Sequence, residues 1–193
     1  MISLKESLKI LKETEALIEG HFILSSGMHS SQYVQCAQLL SKPDKAIEIC
    51  KSLSEKILNE FKNIDLILSP AMGGIIIGYE IGKLLNKETI FSERLNKKFI
   101  LRRNFKIPKN SNVLIIEDVI TTGKSSLECA ELVLNSEAKV IGYACIIDRT
   151  NKKSEIKDKI VSQVQLDIPI FDEKNIPEKL KSITAIKPGS RDL

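Results

Sequence analysis

The chain has 193 residues, of which 42% are hydrophobic and 28% charged, and its formal net charge is +4. A chain of this size folds as one compact domain with a real core, and so small a basic excess is weak evidence for nucleic-acid binding. No apolar run approaches the length needed to span a bilayer, and no targeting segment is visible, so we expect a cytoplasmic protein.

The cysteines argue against a zinc site. The four of them show no C-x-x-C spacing, and the chain has only two histidines. Such cysteines are most often buried, reduced thiols.

The first third of the chain predicts two helices separated by a hairpin. Apolar residues at helical spacing predict an amphipathic helix over residues 3–19 that ends at Gly20. Two short apolar stretches around a Ser-Gly turn predict a β-hairpin over residues 20–37. A second helix is predicted from Pro43 to Lys62, with proline in its first turn.

A glycine pair follows the first strand predicted for the central sheet. Residues 65–69 form this strand, and a tight loop over residues 70–74 leads into a helix over residues 75–85. Gly73 and Gly74 let backbone amides approach an anion closely, which makes the loop a candidate anion site. The alternative is a glycine pair that only makes a sharp turn.

A basic segment follows the next strand, which is predicted over residues 89–92. Residues 93–105 carry five basic side chains, and the alternation over residues 98–102 predicts a hairpin. Such a hairpin is often only a charged edge that discourages strand addition. We favour a mobile catalytic flap, because an anionic leaving group needs arginine or lysine to offset its charge.

The most informative stretch runs from Val113 to Ser126 and reads VLIIEDVITTGKSS. A buried strand, the acidic pair Glu117-Asp118 and a hydroxyl-rich turn follow one another there, and a helical pattern continues to Asn135. The free N–H groups at the start of a helix suit a phosphate. Because the acidic pair would repel a bare phosphate, the ligand should also present hydroxyls or a cation, as a ribose 5-phosphate does.

This stretch has two other possible interpretations. Gly123-Lys124-Ser125 resembles the end of a nucleoside-triphosphate loop, but that loop needs a glycine where Asp118 stands. The turn could instead be an ordinary connection whose hydroxyls only cap the helix. The hydrophobic strand and the acidic pair together favour a binding site.

A last buried strand, over residues 139–147, ends in Asp148-Arg149. An arginine at the carboxyl end of such a strand points into the site, and its planar fork matches a carboxylate. The alternative is a surface ion pair with Asp148. Residues 161–171 alternate enough to pair with the N-terminal hairpin, and a short helix begins at Pro177.

The stretch from Val113 to Ser126 resembles the diphosphoribosyl-binding signature of the type I phosphoribosyltransferases, in the form found in the orotate phosphoribosyltransferases. The segment GHFILSSG at residues 20–27 is similar to the hood that folds over the pyrimidine in that branch. The resemblance implies an α/β fold in one domain, residues 1–193, with about five parallel strands flanked by helices. Residues 1–40 and 160–193 would form the hood and residues 41–159 the core.

The implied reaction transfers the 5-phosphoribosyl group from 5-phosphoribosyl 1-diphosphate to orotate, as in pyrimidine biosynthesis. Magnesium would enter with the diphosphate, without a protein ligand assigned to it. Thr121 and Arg149 would contact orotate, and a loop would hold pyrophosphate through Ala71, Met72, Gly73 and Gly74. The donor sugar and its 5′-phosphate would be bound by Glu117, Asp118, Val119, Ile120, Thr121, Thr122, Gly123, Lys124 and Ser125.

The catalytic residues implied are Arg94, Lys97, Lys98 and Asp118. Arg94 stands closest to the usual catalytic lysine, because SERLNKKFILRRNF replaces the commoner Lys-Asp-His-Gly-Glu-Gly loop. Serine at position 25 and glycine at position 73 replace lysines found in many members.

Two structural expectations also come from the family. A homodimer is expected in which the flap of one subunit completes the site of its neighbour. A cis peptide bond is expected between Ala71 and Met72, ahead of an all-trans turn with positive φ at Gly73 and Gly74.

Two rival functions remain at this point. A purine or xanthine phosphoribosyltransferase would share the donor motif, but the hood segment argues against it. A non-catalytic regulator that senses diphosphoribose and binds nucleic acid would need an added domain or a concentrated basic helix. A chain of this length has no space for an added domain, and its basic residues are not concentrated on one helix, so we do not expect nucleic acid as a partner. We do not expect a membrane either, because no apolar run is long enough to span one.

Overall fold

The structure is a computed structural model that describes residues 1–24, 26–151 and 154–188. Ser25 and the end of the expected hood, residues 189–193, lie outside the described residues. The helices are α1 Leu4–Glu13, α2 Cys36–Leu40, α3 Pro43–Glu60, α4 Gly73–Leu85, α5 Lys124–Asn135 and α6 Glu178–Lys181. The strands are β1 Leu17–Ile23, β2 His29–Val34, β3 Leu66–Pro70, β4 Glu88–Leu95, β5 Lys98–Leu101, β6 Asn112–Ile120, β7 Lys139–Asp148, β8 Ile160–Gln165 and β9 Ile170–Phe171.

The main sheet has six strands in the order β5-β4-β3-β6-β7-β8. All neighbouring pairs are parallel except β4 and β5, which form the antiparallel hairpin expected from the basic segment. The α/β fold with five parallel strands is therefore confirmed. The carboxyl ends of β3, β4 and β6 meet at one edge of the sheet, where ligands bind in open parallel sheets.

The central strands are buried on both faces, which explains their continuous hydrophobic runs. In β6, Leu114 and Ile116 belong to the core cluster that α1, α3 and α4 also contribute to, while Val113 and Ile115 belong to a second cluster with residues of α5. Helices thus cover both faces of the sheet. Within the described ranges, no helix is both long and apolar enough to cross a membrane.

The first helix is shorter than its pattern indicated, which corrects the expected span of 3–19. Helix α1 ends at Glu13, where the Thr14 side chain donates to the carbonyl of Ile10 at 2.8 Å and Glu15 adopts a positive φ of 60°. Residues 17–23 instead form β1. The apolar residues of this stretch fit either element, and pairing with β2 decides between them.

The hood is a three-stranded sheet in the order β1-β2-β9. The C-terminal segment joins it through Ile186, whose N–H donates to the carbonyl of His21 at 2.8 Å. Only part of the expected C-terminal pairing is correct, because residues 160–165 form β8 and pair in parallel with β7 in the main sheet. The reason is burial, since Val161 and Val164 complete the main core.

The four cysteines are free and buried, as expected. In the described part of the chain, no three histidine, cysteine or acidic side chains cluster in a way that could hold a metal ion.

Candidate active site

A cleft of about 690 Å³ opens at the carboxyl ends of β3, β4 and β6. It brings together three regions that are far apart in the sequence: the glycine loop, the acidic pair with the turn after it, and the basic hairpin. Its walls are formed by Pro70, Ala71, Met72, Gly73, Gly74, Arg94, Phe99, Glu117, Asp118, Lys124 and Ser125. Of the nine residues assigned to the donor sugar and its phosphate, four line this cleft together with the glycine loop, whereas residues 119–123 and Arg149 are not in its wall.

The glycine loop has the backbone expected for it. The Ala71–Met72 peptide bond is cis, and the positive-φ glycines of the described chain are Gly27, Gly123 and Gly142. Helix α4 begins at Gly73, two residues before the predicted start, so both loop glycines lie in its first turn. The N–H groups at that end of the helix therefore lie beside the cleft.

Gly73 is packed against the acidic pair. A β-carbon placed on Gly73 would lie 2.6 Å from Oδ1 of Asp118 and 2.8 Å from its Oδ2. Such contacts are far closer than van der Waals distance. The absence of a side chain at position 73 therefore leaves the space that the Asp118 carboxylate occupies.

Burial changes the acidity of both carboxylates. It raises the pKa of Asp118 above its ordinary value, and it raises the pKa of Glu117 from its ordinary 4.5 to about 7. The neighbouring Asp118 raises the pKa of Glu117 further, whereas a hydrogen bond from the Ser126 hydroxyl and the positive charge of Arg94 lower it. The pair is thus held in a site where ligand hydroxyls or a cation would favour the ionised forms.

The raised pKa of Glu117 predicts a pH-dependent stability. Between pH 4.5 and about 7 the folded protein binds this proton more tightly than the unfolded chain, so the free energy of unfolding should fall as pH rises through that window. Glu117→Gln removes this titration. Its free energy of unfolding relative to wild type should therefore rise by on the order of 1–3 kcal/mol between pH 5 and pH 8. Urea unfolding of the ligand-free proteins at both pH values measures this gain.

Glu131→Gln is the control for this experiment, because Glu131 is exposed on the same helix as Ser126. It should follow wild type at both pH values. If Glu117→Gln also follows wild type, Glu117 is ionised in the folded protein throughout the range.

Arg94 lies in the wall of the same cleft, and its positive charge acts on Glu117. Its Nη1 lies 2.9 Å from Oε2 of Glu128 and donates to the carbonyl of Lys97 at 2.6 Å. Its guanidinium carbon stands 4.1 Å from the centre of the Phe99 ring. These contacts fix the guanidinium in the cleft wall of its own chain. That the flap completes the site of a neighbouring subunit stays a prediction.

The two lysines proposed to act with Arg94 are placed differently. Lys97 lies in the turn between β4 and β5, and Lys98 begins β5. Both are exposed, and neither is among the residues of the cleft wall. In the described part of the chain, the cations of that wall are Arg94 and Lys124.

The turn after β6 has the geometry of an anion site. Gly123 adopts a left-handed conformation with φ of 83°, and α5 begins directly after it at Lys124. Thr121 and Thr122 are exposed and are not in the cleft wall, whereas Lys124 and Ser125 line the cleft. The predicted phosphate turn therefore opens to solvent at the positive end of a helix.

Arg149 lies at the same sheet edge, one strand away from the acidic pair. Its N–H donates to the carbonyl of Ile120 at 2.8 Å, and burial lowers the pKa of its guanidinium. Asp148 accepts from the N–H of Thr150 at 2.8 Å. No ion pair among the described residues joins Asp148 to Arg149, so the surface-pair alternative does not describe this arginine.

Three residues of the site were not assigned a role from the sequence. Phe99 and Glu128 hold Arg94, and Ser126 donates to Glu117. Glu128 lies 34 positions after Arg94, and no local pattern connects the two. The sequence places Ser126 at the end of the hydroxyl-rich stretch, but it does not show that Glu117 is the acceptor of its hydroxyl.

Comparisons with known proteins identify the family of this chain. The model of the phosphoribosyl transferase domain family matches residues 37–183. The orotate phosphoribosyltransferase of Parvibaculum lavamentivorans is 43% identical over 96% of this chain and 97% of its own length.

Solved structures show the same fold in enzymes that differ in their named base. The orotate phosphoribosyltransferase of Aeropyrum pernix superposes with a TM-score of 0.72 at 23% identity, over 82% of this chain and 92% of its own. The adenine phosphoribosyltransferase of Saccharomyces cerevisiae has a TM-score of 0.61 at 21% identity, over 81% and 99% of the two chains. The match to the domain model and the identity to the Parvibaculum enzyme show that this chain belongs to the phosphoribosyltransferase family, within which it is similar to orotate phosphoribosyltransferases.

Proposed function

We propose that this protein is an orotate phosphoribosyltransferase, which forms orotidine 5′-phosphate and pyrophosphate in pyrimidine biosynthesis. The observation that carries the proposal is the meeting of an acidic pair, a phosphate turn, a glycine loop and a fixed arginine in one cleft. A phosphorylated sugar that also bears a diphosphate needs all four. The high identity to a named orotate enzyme supports orotate as the acceptor.

The donor would lie along the sheet edge. Glu117 and Asp118 accept hydrogen bonds from the ribose hydroxyls, and the turn from Val119 to Ser125 holds the 5′-phosphate. The first turn of α4, at Gly73 and Gly74, presents backbone N–H groups to the diphosphate. In this pose the anomeric carbon would lie in the open cleft, next to both the acidic pair and the glycine loop.

In the reaction, N1 of the orotate anion forms a bond to the anomeric carbon while the bond from that carbon to the diphosphate oxygen breaks. The electron pair of the breaking bond leaves with pyrophosphate, so negative charge develops there. Arg94 lies where it would stabilise that charge without reorganising, because Glu128 and Phe99 already fix it. No protein nucleophile is required.

Magnesium fits the donor set of the cleft. Carboxylate oxygens of Glu117 and Asp118 are the hard ligands that Mg²⁺ prefers, either directly or through its waters. When bound with the diphosphate, the ion would neutralise charge on the leaving group. The protein groups align the donor and exclude bulk water.

The experiment that tests the function compares acceptors. The protein is incubated with magnesium, 5-phosphoribosyl 1-diphosphate and one of orotate, adenine, hypoxanthine or xanthine, and product is measured by chromatography. We expect only orotate to be consumed. Because the fold is shared with an adenine enzyme, consumption of a purine instead would refute the assignment.

Arg149 and Thr121 are proposed to contact orotate. Arg149→Ala should raise the KM for orotate about 10- to 100-fold, since a charge-assisted hydrogen bond contributes about 1.5–3 kcal/mol, and Thr121→Ala should have a smaller effect. The KM for the donor should change much less. Steady-state kinetics with each substrate varied in turn measures the difference, and equal effects on both substrates would remove these residues from the orotate site.

We also propose a homodimer. Met72, Ile76 and Tyr79 have 83%, 53% and 67% of their surface exposed and recur at helical spacing along α4. An apolar stripe of this kind, starting at the cleft, is suited to a second copy of the chain. Sedimentation of the protein tests the assembly, and a monomer at micromolar concentration would contradict it.

The free, buried cysteines fit a reducing compartment, which supports our proposal of a cytoplasmic location.

A further inference from the structure

Residues 154–156 form a short segment that contacts the phosphate turn from outside the cleft. The Ser154 hydroxyl donates to the carbonyl of Thr122 at 3.1 Å, and the N–H of Glu155 donates to the same oxygen at 3.3 Å. One carbonyl of the turn thus accepts hydrogen bonds from two donors of this segment.

The hydroxyl of Ser154 has a fixed orientation. It accepts a hydrogen bond from the N–H of Ile156 at 3.1 Å, so its own proton is left for Thr122. Ile156 is 7% exposed and belongs to the core cluster on the α5 side of the sheet. Ser154 is therefore held by a residue that the core itself anchors.

The same segment closes tightly over Gly123. A β-carbon at Gly123 would lie 2.6 Å from the Ser154 hydroxyl oxygen and 2.8 Å from two side-chain carbons of Ile156. With its φ of 83°, Gly123 is the position where the turn changes direction into α5. The segment thus supports the turn at the point where its backbone is least constrained.

We propose that Ser154 positions the phosphate turn, and so sets the affinity of the site for the phosphate of a sugar phosphate. In a trans peptide the carbonyl oxygen and the following N–H point in opposite directions. Holding the Thr122 carbonyl toward Ser154 therefore aims the N–H of Gly123 the other way, away from the supporting segment. Ser154 acts through the backbone of the turn and does not touch the ligand.

The test measures binding of ribose 5-phosphate to the whole protein by calorimetry, together with steady-state kinetics. Ser154→Ala should weaken ribose 5-phosphate binding about three- to tenfold, the range that one hydrogen bond supplies. The KM for the diphosphate donor should rise by a similar factor, while kcat and the KM for orotate should stay within about twofold. Ser154→Thr, which keeps the hydroxyl, should bind like wild type.

Ser136→Ala is the matched control. Ser136 also donates its hydroxyl to a main-chain carbonyl, that of Leu132 at 2.8 Å, but at the opposite end of α5. It should bind ribose 5-phosphate like wild type. A loss equal to that of Ser154→Ala would assign the effect to general loosening of the helix and overturn the proposal.

The inference rests on the proposed binding of the 5′-phosphate by this turn, and its failure can be told apart from failure of the proposed reaction. Unchanged ribose 5-phosphate affinity in Ser154→Ala would overturn the inference alone. Wild-type protein that binds ribose 5-phosphate but leaves orotate unconsumed would contradict the proposed reaction, while the effect of Ser154 could still be measured by binding.

Discussion

Replacing Arg94 with alanine should lower kcat for phosphoribosyl transfer about 10²- to 10³-fold. Removing one preorganised donor to a developing charge has this effect in other enzymes, and Arg94 is the arginine of the cleft wall. Because the negative charge on the diphosphate increases as the bond breaks, Arg94 should stabilise the transition state more than the bound donor, so the KM for the donor should rise less than kcat falls. Initial rates with saturating orotate, over a range of donor concentrations, separate the two constants.

Two further variants sharpen this result. Arg102→Ala is the control, because the Arg102 side chain is 56% exposed and its nearest carboxylate is Glu93, at 3.7 Å. Its rate should stay within about twofold of wild type. Glu128→Gln keeps the shape of the carboxylate but removes the charge that holds Arg94, and it should fall between the two. If Arg94→Ala behaves like Arg102→Ala, the guanidinium does not stabilise the leaving group.

Mixing of inactive variants tests whether Arg94 acts in its own subunit. The family resemblance predicts that the flap crosses to the neighbour, in which case Arg94→Ala and Asp118→Asn proteins would recover activity as heterodimers. We therefore expect the mixture to recover activity at one of its two sites. A mixture that remains inactive would show that Arg94 acts within its own chain, where it contacts Glu128.

The parts of the fold and site that could be predicted have local signals. Runs of β-branched residues indicated β3, β6 and β7, because strands covered on both faces have no polar alternation. The acidic pair and the turn after it are contiguous in sequence, so one parallel strand end places them together. The position of the glycine loop at the same edge then follows from the sheet topology.

The parts that could not be predicted depend on contacts between distant segments. Residues 17–19 fit a helix by periodicity and become β1 through pairing with β2. Residues 160–165 alternate as a hairpin partner would, yet the edge of the main sheet takes them as β8. The contacts of Arg94 with Glu128, and of Ser154 with Thr122, join elements whose spacing in sequence carries no signal.

Gly73→Ala should lower kcat/KM for the diphosphate donor about 10²-fold while leaving the fold intact. The added β-carbon would stand 2.6 Å from Oδ1 of Asp118, so one of the two groups must move. Alanine suits the helical backbone of α4, and the group that can move is therefore the carboxylate of Asp118. A displacement of about 1 Å at a positioning group is enough for such a loss.

Gly74→Ala makes the necessary contrast, because its β-carbon would meet the core of the sheet. It would lie 3.1 Å from the carbonyl oxygen of Ile116, from Pro70 and from the β-carbon of Ser69. We expect Gly74→Ala to lower the free energy of unfolding by about 1–3 kcal/mol through overpacking. Gly73→Ala should unfold like wild type, and urea titration with donor kinetics separates the two outcomes. A Gly73→Ala protein that keeps wild-type donor kinetics would show that Asp118 does not need its present position to bind the ribose.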